Sequence, residues 1–149
     1  MLLFRPMIKI YTSPSCSSCR KVKKWFDEQK IPYEEHNIFA AVLDPKELKE
    51  ILMKSENGTD DIISKRSKII KEQNIDFDSM TINEMVEFIR KYPSVLKRPI
   101  MVDDRRIQVG YSSEEIRTFI PRARKIADEA CAFCGYSYQE CEEAKKEEN

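Results

Sequence analysis

Two cysteines separated by two residues, Cys16 and Cys19, are the part of the sequence best suited to chemistry. They follow a strand-like run at 8–11 and precede a helical pattern, so the pair is predicted to lie at a helix N-terminus. Unpaired backbone N–H groups and the helix dipole stabilise a thiolate there, and Arg20 and Lys21 add fixed positive charge. Each effect lowers a cysteine pKa, so we expect at least one partly ionised, reactive thiol near neutral pH.

Two other interpretations of this pair stay open beside a switchable dithiol, which is the favoured one. A closed zinc site needs four ligands, and no second Cys-x-x-Cys or Cys/His pair occurs in the first 121 residues. A structural disulfide closing so short a loop gains only about 2 kcal/mol in the chain-entropy model. Stable disulfides are also rare in the reducing cytosol.

The length of the chain predicts one domain with an appendage, and its balanced charge predicts no strong overall electrostatic field. The chain has 149 residues, of which 35% are charged, with 26 basic residues balancing 26 acidic ones. A zero net charge gives no global attraction for nucleic acid or anionic membrane. No apolar run reaches the roughly 18 residues that predict a membrane span, so no membrane association is expected.

The first six residues and the cysteine count point to the cytoplasm. Residues 1–6 are too short for a signal-peptide core and are interpreted as a disordered extension upstream of an alternative start at Met7. Five cysteines without an export signal fit a reducing compartment. No cofactor is predicted.

The N-terminal elements form a β-α-β unit. Strands are predicted over 7–11 and 33–38, and a helix is predicted over 17–29. The short crossover between the strands favours parallel pairing at the centre of a sheet.

Helical signals then interrupt the strands. Asp44, followed by Pro45 and Glu47, is a helix start, and a turn at Gly58 precedes a short helix. A basic helix is expected next, over 65–71. The sequence TINE at 81–84 is a capping box that opens another amphipathic helix.

Strands return late, as a hairpin over 98–102 and 106–110, and a cis bond is predicted before Pro99. Ser112 or Ser113 would cap a last helix. The predicted fold class is therefore α/β, a thioredoxin-like mixed β-sheet flanked by helices, with a helical insertion between the second and third strands. The domain would span 7–121.

Beyond it, a charged tail is expected over 122–149. It carries Cys131, Cys134 and Cys141, which are interpreted as three zinc ligands without an obvious fourth, a second redox sensor, or inert thiols. The acidic end reads as a solvated helix or a frayed tail.

Four separated motifs resemble one known family. They are YTSPSCSSCRK at 11–21, ENGTDDIISKRSK at 56–68, LKRPI at 96–100 and QVGY at 108–111. In this order they resemble Spx, the redox-responsive transcriptional regulators of low-GC Gram-positive bacteria, within the arsenate reductase-like group. The resemblance covers about residues 7 to 124.

The resemblance implies a monomeric regulator that binds the C-terminal domain of the RNA polymerase α subunit during thiol stress. Carried over by position, Cys16 and Cys19 would form the redox disulfide. Gly58 would face the polymerase, and Arg98 would couple the switch to that interface. An oxidant would convert a thiolate to sulfenic acid, the neighbouring cysteine would capture it as a disulfide, and a thioredoxin system would reset it.

Further expectations come with the same resemblance. Arg66 and Lys68 would lie near promoter DNA, within the polymerase complex only. Family tails govern proteolysis by an ATP-dependent protease and its adaptor, although the acidic end at Asn149 departs from that pattern.

Simpler structural roles compete with these assignments. Gly58 could be a turn glycine that needs a positive φ, and Arg98 an ordinary surface cation. The basic helix could be a solvated face, since binding DNA requires that its side chains neutralise phosphates. His36 is interpreted as a plain strand residue with no acid/base or metal partner.

The alternative function is an arsenate reductase or a glutaredoxin-like oxidoreductase. Oxyanion reduction needs a thiolate and a cluster of guanidinium groups, and Cys16, Arg66 and Arg98 could supply these. Relatives that reduce arsenate place a third arginine where this chain has residues 110–111, and serine where it has Cys19. The regulator is therefore the favoured function.

Overall fold

The computed structural model describes residues 7–121 and 124, which divide between two compact units, one ending at Ser112 and the other beginning at Ser113. The first unit holds a four-stranded mixed sheet in the order β2-β1-β3-β4. Its strands are β1 (Ile8–Thr12), β2 (Tyr33–Asn37), β3 (Ile100–Val102) and β4 (Ile107–Val109). The predicted fold class is confirmed.

Strand β1 lies inside the sheet because it pairs on both sides. It pairs in parallel with β2 and antiparallel with β3, and β3 pairs antiparallel with β4. The predicted parallel pair and the late hairpin are thus confirmed, but β2 is an edge strand. The interior position of β1 places the loop that follows it, with the two cysteines, at the end of a strand held on both sides.

Five α-helices are described in the first unit. They are α1 (Ser17–Glu28), α2 (Pro45–Lys54), α3 (Thr59–Ile62), α4 (Lys68–Gln73) and α5 (Ile82–Lys91), with 3-10 turns at Phe77–Ser79 and Pro93–Val95. Local capping explains two of the starts. The Asp44 carboxylate accepts from the Lys46 N–H, and Thr81 and Glu84 form the reciprocal capping box.

The helical insertion covers one face of the sheet. Alternate β1 side chains point to opposite faces, and Tyr11 joins a buried cluster with α2, α3 and α5. The Phe26 ring of α1 lies 5.6 Å from that of Tyr33, which is the register partner of Ile8. Because Ile8 and Tyr11 point to opposite faces, α1 packs on the face away from the insertion.

Two predicted helices differ in the structure. Arg66 lies in a turn, closed by the Ser67 N–H donating to the Ser64 carbonyl, so α4 begins only at Lys68. In the second unit, Glu115–Phe119 is a 3-10 helix, and its N-cap is Glu114 without a side-chain cap. The predicted helix is therefore confirmed over 68–71, but its predicted start at 65 and the serine cap near 112 are wrong.

The predicted extension at 1–6, and the tail cysteines Cys131, Cys134 and Cys141, lie outside the described residues. Within the ranges that are described, no helix combines the length and hydropathy needed to cross a bilayer.

Candidate redox site and partner surface

Cys16 and Cys19 are joined by a disulfide at the start of α1, with their Cα atoms 5.2 Å apart. Cys16 is the N-cap, and its sulfur accepts a hydrogen bond from the Cys19 N–H at 3.1 Å. The same N–H can stabilise the negative charge when the bond is reduced, because it belongs to the set that lacks intrahelical partners. The predicted position of the pair at a helix N-terminus is confirmed.

The two sulfur-bearing residues differ in accessibility. Cys19 is 1% exposed and belongs to the buried face of α1, together with Val22 and Phe26. Cys16 is partly exposed. Exchange with an outside thiol is therefore directed to Cys16, since access is one of the factors that decide which sulfur is attacked.

A cleft of about 500 Å³ opens beside Cys16, and we refer to it as the cationic cleft. Its basic side chains are those of Arg66, Lys97 and Arg98, and the other lining residues are Leu96 and seven serines. Within the part of the chain that the structure describes, no carboxylate lines this cleft. The structure thus brings together Cys16, Arg66 and Arg98, three of the residues that the sequence singled out.

Arg98 is positioned at the cleft by a contact of its side chain and by the strand that follows it. Its Cζ atom lies 5.6 Å from the centroid of the exposed Phe39 ring, which is a cation–π contact. The Arg98–Pro99 peptide bond is cis, as predicted, and β3 begins one residue later. Phe39 was not identified from the sequence, because a contact across about sixty residues leaves no local pattern.

Residues 95–98, which we name the coupling segment, connect the cleft to the insertion. The Ser64 N–H donates to the Val95 carbonyl and the Lys97 N–H to the Ile62 carbonyl, both at 2.8 Å. The Lys97 ammonium group donates to the Asp60 carbonyl at 2.6 Å. Lys97 is thus hydrogen-bonded directly to helix α3, and its chain neighbour Arg98 is connected to that helix through it.

Gly58 lies at the other end of α3, as its N-cap, with φ +61° and ψ −128°. Side chains rarely adopt that conformation, so the backbone alone favours glycine here. A Cβ atom added at Gly58 would meet no described atom within 4 Å. The turn role is therefore supported, and the space in front of the residue is open.

A second cavity, the apolar groove, lies at Gly58. It has a volume of about 370 Å³, and its lining residues are Leu52, Met53, Asn57, Gly58, Thr59, Asp78, Ile82 and Met85. The side chains of Met53 and Ile82 are 78% and 52% exposed, which is high for residues of their type. The groove and the cationic cleft have no lining residue in common.

The remaining candidate residues lie outside both cavities. Lys68 is exposed at the first position of α4. His36 lies in β2, its ring centroid 5.3 Å from that of Tyr11 and its Nε2 2.9 Å from a Glu34 carboxylate oxygen, without hydrogen-bond geometry. His36 is thus a strand residue, as predicted, with the Glu34 carboxylate beside it.

A partly buried polar cluster connects α2 to β1. The Tyr11 hydroxyl donates to Glu47 at 2.9 Å, and the Lys9 ammonium group contacts the other carboxylate oxygen. Burial alone raises the pKa of Glu47, but the bonds from Lys9 and Tyr11 outweigh it and hold that pKa below its usual value. Burial, and next the bond to Glu47, raise the pKa of Tyr11 far above its usual range.

At the end of the hairpin the structure has no arginine. Gly110 has φ +80°, and the Lys21 ammonium group lies 6.0 Å from the centroid of the Tyr111 ring. The guanidinium groups that line the cleft are thus two, those of Arg66 and Arg98, rather than three.

Comparison with known proteins shows the broad class to which this chain belongs. The model of the ArsC family matches residues 11–119. An arsenate reductase from Vibrio cholerae has the same fold, with a TM-score of 0.67 at 18% identity over 77% of this chain and 98% of that one. A solution structure from Staphylococcus aureus gives 0.64 at 22% identity, over 75% and 97%. Fold and family together define an ArsC-family protein of thioredoxin-like architecture.

Curated relatives narrow the class further. The global transcriptional regulators Spx 1 of Bacillus cereus and Spx of Streptococcus pneumoniae are 52% and 51% identical to this chain, over 78% of it and 88% of their own length. Spx of Enterococcus faecalis is 47% identical over the same shares. The chain belongs to the Spx family of global transcriptional regulators. These relatives are named as regulators, which supports the prediction of a regulator over that of an enzyme.

Proposed function

We propose that this protein is a redox-sensing regulator that binds the C-terminal domain of the RNA polymerase α subunit at Gly58, and that the Cys16–Cys19 disulfide switches this binding. The proposal depends on one observation, which is the position of the coupling segment between the two cavities. It has one side in the cationic cleft and is bonded on the other to α3, the helix that Gly58 caps. Hydrogen bonds therefore connect one wall of the cleft beside Cys16 to the helix that begins at the groove.

The apolar groove has the properties of a protein-binding surface. Exposed Met53 and Ile82 offer apolar area, and methionine adapts its shape to a partner. Gly58 leaves open space between them and α3, into which a partner backbone could approach closely. A long side chain at Gly58 would fill that space.

The chemistry of the switch would begin at Cys16, the more accessible sulfur. The Cys16 thiolate would attack a peroxide oxygen, and the O–O bond breaks with loss of hydroxide or alkoxide to give a sulfenic acid. The Cys19 thiol would then attack the Cys16 sulfur, and the sulfenic hydroxyl group leaves as water with the thiol proton while the disulfide forms. Thiol–disulfide exchange with a thioredoxin system would restore both thiols. Closing the bond constrains the first turn of α1 beside Arg98, and this is the proposed signal.

Promoter DNA would contact the exposed Arg66 and Lys68 once the polymerase complex has formed. This proposal implies a cytoplasmic location, a monomer as the binding unit, and no membrane partner. Control of the tail by an ATP-dependent protease and its adaptor stays an expectation from the family, since that segment lies outside the described residues.

A second candidate, arsenate or disulfide reduction, is favoured by one feature. Cys16 shares a cleft with two guanidinium groups, which suits an oxyanion. Residues 110–111 supply no third arginine, and Cys19 offers a second thiol that would capture an intermediate. Turnover of arsenate or glutathione disulfide by the purified chain, at enzyme-like rates of about 1 per second or more, would favour this function over the regulator.

Binding to the purified polymerase α domain tests the proposal, with the wild type compared with Gly58→Arg and Gly58→Ala. Both variants carry the same backbone strain, about 1–3 kcal/mol, but only arginine fills the open space. We expect Gly58→Arg to lose at least about tenfold in affinity, or 1.4 kcal/mol. We expect Gly58→Ala to lose much less. Equal binding by all three proteins would remove Gly58 from the interface.

A further inference from the structure

The cationic cleft has unbalanced positive charge around the accessible sulfur. Its volume of about 500 Å³ lies within the range of small-molecule sites. Among residues 7–121 and 124, neither Arg66 nor Arg98 forms an ion pair with a carboxylate. Two guanidinium groups at the mouth of one cleft attract an anion and can hold it with paired hydrogen bonds.

A buried hydroxyl group in the same cleft lacks a partner. Ser13 is 6% exposed and lines the cleft, and its Oγ makes no hydrogen bond with any described residue. Buried polar groups in native proteins are nearly always paired, so an orphan is a group that a ligand can satisfy. This observation is independent of the charge.

Accessibility decides where a nucleophile can react. Cys19 is 1% exposed, whereas Cys16 is partly exposed and lines the cleft. A molecule bound among Arg66, Arg98 and Ser13 would therefore lie beside Cys16, which lines the cleft, rather than beside the buried Cys19, which does not.

We propose that the cationic cleft binds a low-molecular-weight thiol carrying a carboxylate or sulfonate, which reduces the disulfide by attacking Cys16. The inference rests on the proposed role of the disulfide as a reversible switch, and it assigns that switch a small anionic reductant. The level of such thiols would then set the state of the regulator directly.

The exchange is balanced as follows. The small thiolate forms a bond to the Cys16 sulfur, the Cys16–Cys19 bond breaks, and Cys19 leaves as a thiolate that takes a proton from solvent. A second small thiolate attacks the small-molecule sulfur of the mixed disulfide, and Cys16 leaves as a thiolate. Two small thiols are oxidised to one disulfide, and one protein disulfide is reduced to two thiols.

Rates of reduction of the full-length protein by three thiols of similar size test the proposal. The thiols are 2-mercaptoethanesulfonate, neutral 2-mercaptoethanol and cationic cysteamine, and each rate is expressed per thiolate and followed by alkylation and peptide mass spectrometry. At an ionic strength of about 0.01 M we expect the sulfonate to react at least about tenfold faster than the neutral thiol. At about 1 M, where the Debye length is about 3 Å, this preference should largely disappear.

Variants separate the cleft from general charge effects. Arg66→Gln should reduce the preference for the sulfonate at least threefold, whereas Lys24→Gln, which removes an exposed charge from α1 outside the cleft, should preserve it. Incubation of Cys19→Ser with the disulfide of mercaptoethanesulfonate should give an adduct on Cys16. Equal rates for the three thiols, or equal effects of the two charge variants, would overturn the proposal.

Failure of the small-thiol proposal can be distinguished from failure of the proposed function. If neutral and anionic thiols react alike while binding to the polymerase domain still depends on the disulfide, only the small-thiol proposal fails. If the disulfide is reduced without any change in binding, the switch itself fails.

Discussion

The cationic cleft and the apolar groove are opposite kinds of surface on one compact unit. The cleft presents three basic side chains, a row of serines and a reactive sulfur, while the groove presents exposed methionine and isoleucine beside a glycine. The first suits a small charged reactant, and the second suits a protein. Under the proposed function, sensing and partner binding would lie in separate places, which must then communicate.

The shared element is a short stretch of irregular chain. The coupling segment pairs with residues 62–64, and Lys97 also bonds to the Asp60 carbonyl at 2.6 Å. The cluster of Lys9, Tyr11 and Glu47 joins α2 to β1 by a different route. The predictions below test whether the two surfaces are separable, and which connection carries the signal.

The largest expected effect is on the groove. Met53→Asp places a charge at a side chain that is 78% exposed and lines the groove, so binding to the polymerase α domain should weaken at least about tenfold while the fold is unaffected. The rate at which the disulfide is reduced should not change. Val42→Asp, at a 73% exposed position outside the groove, is the matched control. If the control weakens binding equally, the groove is not the interface.

The next effect concerns communication. Lys97→Met keeps the length of the side chain but removes the ammonium group that donates to the Asp60 carbonyl. We expect the difference in affinity between the oxidised and reduced states to fall about threefold, since residues along a coupling route change it by about 0.5–2 kcal/mol. Affinities measured in both states by calorimetry check this.

Lys65→Met is the control for that variant. Lys65 pairs with the same residue, Asp60, but through its exposed carboxylate at 3.0 Å. If Lys65→Met loses the difference in affinity between the oxidised and reduced states while Lys97→Met keeps it, the signal does not pass through the Lys97 contact.

At the second connection the expected effect is on stability rather than on affinity, and it depends on pH. Because the pKa of Glu47 is lowered in the folded state, its contribution to stability is complete above the unfolded value of about 4.5 and is lost as the pH falls through the lower folded value. Glu47→Gln should therefore reduce the free energy of unfolding by about 1 kcal/mol at pH 7, and the gap from wild type should narrow as the pH falls below the unfolded pKa of Glu47.

Urea unfolding across this pH range measures the effect, with Glu50→Gln, at an exposed residue of the same helix, as the control. The difference in affinity between redox states should persist in Glu47→Gln. If it disappears, the signal travels through β1 and α2 rather than through the coupling segment.

The smallest effect is expected at Ser13. Ser13→Ala removes a buried hydroxyl group without a partner, so the free energy of unfolding should rise by up to about 1 kcal/mol. Thermal or urea unfolding of the oxidised protein measures it. A loss of about 1 kcal/mol instead would show that the hydroxyl has a structural role and is not kept for a ligand.

Sequence reasoning succeeded where the signal is local. The cysteine pair at a helix start, the Thr81–Glu84 capping box and the hairpin each depend on neighbouring residues, and each is confirmed. The predicted start of the basic helix at 65 was wrong because the turn closed by Ser67 and Ser64 leaves Arg66 outside α4, although the residue types favour a helix.

The contacts of Lys97 and Ser13, by contrast, could not have been predicted. The bond from Lys97 to Asp60 spans 37 residues, and the burial of Ser13 depends on how the cleft is assembled. The sequence indicated the importance of Lys97 only through its position before Arg98 in the LKRPI motif at 96–100.

The dissociation constant of the polymerase α domain, measured for the fully oxidised and the fully reduced chain, tests the central claim most directly. Alkylation and mass spectrometry would verify the state of Cys16 and Cys19 in each sample. The account predicts a difference of at least about fivefold, the lower end of typical allosteric coupling, and its absence in Cys16→Ala. The same constant in both verified states would contradict it.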